Sequence, residues 1–84
     1  QEEYTLASAT EDLTDREMAV FKMLGEGRSM KEIADELDLS RKTIETYRRR
    51  AKEKLGFDTV SELLQYAVQW SYGRGQFDSQ DESA

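Results

Sequence analysis

Seven lysines and arginines fall between Arg41 and Lys54, against only Glu45 and Glu53, so this short stretch carries a net charge of +5. Cations at that density attract polyanions, above all the phosphates of nucleic acid. Their spacing matters as much as their number. At about 100° per residue, Ile44, Tyr47, Ala51 and Leu55 share one narrow apolar seam, while Lys42, Glu45, Thr46, Arg49 and Glu53 take the opposite side. Arg41 and Lys52 border that side on one edge, Arg50 and Lys54 on the other, and Arg48 lies nearer the seam. A helix built this way can lie in a DNA major groove with cations toward both phosphate walls. A solvated surface helix can also be basic, so charge alone does not decide between the two.

Other chemistries are poorly supplied. The 84 residues contain no Cys and no His, which removes disulfides, His/Cys zinc sites, thiol nucleophiles and Ser-His-Asp triads. The carboxylates are scattered without pairing, so no catalytic residue, metal or cofactor is assigned and an enzyme is not expected. No apolar run approaches the roughly 20 residues of a membrane span, and the opening QEEYTLASATED is acidic, unlike an export signal. A cytoplasmic chain with no membrane partner is expected, and its start on Gln reads as a cut from something longer. The overall charge of −6 opposes nucleic-acid binding only if it is spread evenly. It is not: residues 1–12 and 73–84 are acidic, whereas 13–72 balance to zero. A neutral body that contains a strongly basic helix must present one basic face.

The elements that hold this helix are signed by their caps. Ser40 can cap it, Leu39 and Ile44 can staple its entry, and Gly56 suits the left-handed position that closes it. Upstream, Thr14 with Glu17 and Ser29 with Glu32 repeat an S/T-x-x-E capping box, and Thr59 with Glu62 makes a third downstream. Met18, Val20, Phe21, Met23 and Leu24 give the first helix its apolar face; Ile33, Ala34 and Leu37 do so for the second. The expected class is all-α, with helices over about 15–26, 30–37, 41–55 and 60–72. A short helix, the tight turn Asp38-Leu39-Ser40 and a capped basic helix describe a helix-turn-helix, with an ordinary αα-hairpin as the plainer alternative. Residues 1–12 read as a linker or disordered arm, 13–72 as the domain, and 73–84 as a disordered acidic tail.

The run LTDREMAVFKMLGEGRSMKEIADELDLSRKTIETYRRRAKEKLG resembles the LuxR/NarL-type, or GerE-like, DNA-binding domain of bacterial transcription regulators. The positions that carry the likeness include Leu13-Thr14, Arg16-Glu17, Val20-Phe21, Gly27, Lys31 to Ala34, Leu37, Ser40, Thr43-Ile44 and Lys54-Leu55-Gly56. The resemblance implies a four-helix domain whose second and third helices form the helix-turn-helix and whose fourth commonly serves dimerisation. It also implies a place at the C-terminal end of a two-component response regulator, behind a receiver domain and a linker. This sequence departs from the usual pattern at Tyr47, where His is common, at Ala51, where a larger aliphatic is usual, and at Glu45, an acid on the groove side.

Wheel and family position agree on Glu45, Thr46 and Arg49 as base readers: Glu45 for a cytosine amine, Thr46 for a thymine methyl, Arg49 for guanine. Lys31, Lys42, Arg48, Arg50 and Lys52 are assigned to phosphates. Tyr66 and Trp70 on the fourth helix are assigned to a homodimer face, with packing on the first helix as the alternative. The expected partners are double-stranded DNA, a second copy on DNA, a receiver domain in the parent chain, and RNA polymerase. Two rivals remain at this point: a sigma-factor-like promoter-recognition domain, and a protein-interaction module on the same fold.

Overall fold

The computed structural model describes residues 10–83, with side chains to Gly73; the expected N-terminal arm lies outside it over residues 1–9, as does Ala84 of the tail. After a single 3-10 turn at Thr10–Asp12 come four helices: α1 (Asp15–Gly25), α2 (Met30–Leu37), α3 (Arg41–Leu55) and α4 (Val60–Ser83). No strand occurs among the described residues.

Each helix start follows local chemistry. Thr14 Oγ1 accepts from the Glu17 amide at 3.2 Å, and the Thr14 amide donates back to Glu17 Oε1 at 3.0 Å. Ser29 and Glu32 repeat the exchange at 3.1 and 2.9 Å, and Thr59 and Glu62 at 3.2 and 3.3 Å. These bonds satisfy amides that have no partner within the helix itself. Ser40 caps α3 by accepting from the Thr43 amide at 3.1 Å, and Gly56 closes it at φ 81°.

The α2–α3 turn bends at Asp38, which adopts the left-handed conformation at φ 57° that Asp tolerates better than most residues. The Leu39 amide then donates to the Ala34 carbonyl at 2.9 Å, and Leu39 packs against the core. One core holds the four helices, built from Val20, Phe21 and Leu24 of α1, Ile33 and Ala34 of α2, Ile44, Ala51 and Leu55 of α3, and Leu63 and Ala67 of α4. α1 lies against both α4 and α3, and α2 rests on α3. At Gly25 the first and last helices meet so closely that an added Cβ would overlap the Ala67 carbonyl.

The backbone stays helical to Ser83, past the expected end near Tyr72, so the segment from Gly73 read as disordered is helical over those residues. The chain has no Pro to stop it, and Gly73 has no positive φ. A helical glycine costs only about 1 kcal/mol relative to alanine, which weakens a helix without ending it.

Candidate nucleic-acid interface

Burial of Ile44, Ala51 and Leu55 fixes the rotation of α3 about its axis. The opposite side is thereby turned to solvent, and Arg41, Lys42, Glu45, Arg49 and Arg50 are all exposed, with Thr46 half-buried among them. None of Arg41, Lys42, Arg49 or Arg50 forms a side-chain hydrogen bond or ion pair with another described residue. Their charges stand as an open ridge. Thr46 Oγ1 donates to the Lys42 carbonyl at 3.2 Å, so its hydroxyl is committed to its own helix and its methyl is the group left to offer. Lys31 lies on α2 in an exposed pair with Asp35 at 3.1 Å, an interaction that solvent screening keeps weak.

Three cations counted into the basic stretch are placed differently from the ridge. Lys54 Nζ donates to Glu17 Oε1 at 2.7 Å and to the Asp12 carbonyl at 3.1 Å. Glu17 is only 2% exposed, so this ion pair ties α3 to the start of α1 rather than facing a partner. Burial pushes the Glu17 carboxyl upward; the Lys54 hydrogen bond, the Thr14 amide and the charges of Lys54 and Arg50 outweigh it and hold the group below its ordinary value. Lys52, expected on a phosphate, is half-buried with Nζ 3.4 Å from the Asp58 carbonyl. Arg48, also expected on a phosphate, is half-buried and reaches Met30 Sδ through Nη1 at 3.6 Å. The wheel places the stem of Arg48 near the seam and that of Lys52 at the edge of the ridge, and neighbouring acceptors draw in both heads.

The aromatic residues of α4 also face differently from their assignment to a dimer surface. Tyr66 and Trp70 are half-buried, with ring centroids 5.9 and 5.3 Å from that of Phe21 in α1. Phe57 turns back onto Tyr66, with ring centroids 5.7 Å apart. Burial raises the Tyr66 hydroxyl above its ordinary pKa. A core this small needs large rings to close it over α1. The apolar strip on α4 is instead Val68 and Tyr72, 48% and 64% exposed, continued by the half-buried Leu64. Gln65 and Gln69 border Leu64 and Val68 in a shallow groove.

Among the described residues, no cluster of His, Cys, Asp or Glu could hold a metal ion, and no helix is long and apolar enough to cross a membrane. The family model for bacterial regulatory proteins of the luxR family, GerE, matches residues 11–67. The transcriptional regulatory protein MctR of Rhizobium johnstonii is 41% identical over 59 residues, 70% of this chain and 28% of that protein. The response regulatory protein YgeK of Escherichia coli is 39% identical over 61 residues, 73% of this chain and 42% of YgeK. The virulence-factor transcription regulator BvgA of Bordetella pertussis is 42% identical over 55 residues, 66% of this chain and 26% of BvgA. The chain thus spans less than half the length of each of these relatives. No solved structure gives a significant match. Four capped helices in this order, a helix-turn-helix with an open basic ridge, and a match across most of 13–72 lead to one assignment: the chain belongs to the luxR family of bacterial regulatory proteins.

Proposed function

We propose that this chain is the output domain of a bacterial response regulator, binding double-stranded DNA in a sequence-specific way through α3. The observation that carries the reading is the open ridge of Arg41, Lys42, Arg49 and Arg50, with Glu45 and Thr46 between them. In the major groove Arg49 takes guanine, Thr46 presents its methyl to thymine, and Glu45 accepts from cytosine and repels other base edges. Lys42 and Arg50 hold phosphates on either side, and Lys31 and Lys52 join them by giving up weak exposed contacts.

Two copies pair on DNA through α4, on the strip of Leu64, Val68 and Tyr72. The greater length of the relatives leaves room for a receiver domain ahead of this one, and the name of YgeK as a response regulatory protein supports that placement. RNA polymerase is a further partner of the assembled regulator, which works in the bacterial cytoplasm where such DNA is found.

Binding of fluorescent duplexes, selected and random, separates the roles on α3. Arg49→Ala should cost about 1–3 kcal/mol on the selected site and much less on random DNA, whereas Arg50→Ala should weaken both alike and flatten the salt slope by about one unit. Equal losses on both duplexes for both variants would remove the base-reading assignment. Lack of any salt-dependent binding would remove the function.

A further inference from the structure

Arg48 rests in a place that does not suit a guanidinium. Among the described residues, its Nε is the only buried side-chain nitrogen or oxygen without a hydrogen-bond partner. Its Nη1 finds only the sulfur of Met30 at 3.6 Å, a weak acceptor. A buried donor left without an acceptor destabilises the state that contains it, and a sulfur contact offsets little of that. A methionine or leucine could fill the same crevice between α2 and α3 without the penalty. The stability of the free domain therefore gives no reason for an arginine here.

Its place on the helix does. Arg48 is seven residues after the exposed Arg41 and four before Lys52, so the three stems line one flank of α3 beside the ridge. The long aliphatic stem lets the charged head move while the backbone stays still. We infer that Arg48 lies against Met30 only in the free domain, and that on binding it transfers its guanidinium to a backbone phosphate of the duplex. There its donors meet charged oxygens, which form much stronger bonds than sulfur. This rests on the proposed DNA-binding function and deepens it: one residue gives up free-state stability in exchange for affinity.

The test uses the full 84-residue chain with Arg48→Met and Arg48→Lys, thermal melts of the free protein, and binding of a random-sequence duplex across a salt series. A random duplex suffices because a phosphate contact does not depend on base sequence. Arg48→Met should melt above the wild type yet bind more weakly, with a salt slope flatter by about one unit. Arg48→Lys, which keeps one cation and removes the stranded Nε, should melt no lower than the wild type and keep the slope. A lower melting temperature for Arg48→Met would show that the arginine braces α2 against α3 and would overturn the inference. So would an unchanged slope in that variant while the wild type binds. Failure of the wild type to bind at low salt would instead sink the DNA-binding function itself.

Discussion

Lys54 sits in the last turn of α3, where a cation is favoured by the helix dipole, but its main partner is the buried carboxylate of Glu17. The Glu17 pKa is depressed in the folded chain, so its contribution to stability is present above the unfolded carboxylate value and is lost as pH falls through the folded one. Lys54→Met leaves Glu17 buried beside an apolar side chain, where burial favours the neutral acid. The loss near neutral pH should lie toward the low end of the roughly 3–5 kcal/mol for breaking a buried pair, because Lys54 is partly wetted. The melting-temperature gap between variant and wild type should then narrow on acidification, once Glu17 is protonated in both. A gap that stays constant from neutral to acid pH would show that the carboxylate is not the group responsible. In the sequence, Glu17 was legible as a capping residue because its Thr14 partner is three positions away. Its bond to Lys54 spans 37 positions and depends on how α1 crosses α3, which no local pattern encodes.

At the scale of elements, the capping boxes marked the helix starts correctly because each box is closed by residues within one turn. The first three helix ends were legible as well. Gly25-Glu26-Gly27 closes α1, with Gly27 at φ 85°, and Gly25, the last helical residue, serves a further need. It lets the end of α1 approach the Ala67 carbonyl and Ser71 on α4. Alanine there would gain about 1 kcal/mol of helix propensity, and the backbone overlap should outweigh it. Gly25→Ala should therefore lower the urea midpoint, with a net loss on the order of 1–3 kcal/mol as α4 is displaced. A midpoint at or above that of the wild type would mean the two helices separate without penalty. The extent of α4 was missed for a related reason: a glycine reads as a breaker locally, yet a helix already anchored by Leu63 and Ala67 can run through it.

Across the whole molecule, the basic ridge of α3 and the open apolar strip of α4 are separate surfaces, and the core between them fixes their relative orientation. The ridge was legible because its exposure follows from the period of Ile44, Ala51 and Leu55. The strip was not: the sequence points to Tyr66 and Trp70 for that surface, and the position of Phe21 turns both inward. If copies pair through the strip, a charge at its centre should separate pairing from DNA contact. Val68 is 48% exposed, so Val68→Glu buries no carboxylate in the single copy and should leave its melting temperature nearly unchanged. In a pair, the two introduced carboxylates would be brought together in an apolar contact and strongly disfavour it. Sedimentation on a duplex with two half-sites should show two wild-type copies bound together and Val68→Glu adding one at a time, at higher concentration. The intrinsic affinity for a single half-site should be kept, since α3 is untouched. Joint binding by Val68→Glu would move the pairing surface elsewhere, and a fall in single-site affinity would show that α4 and α3 are coupled through the core.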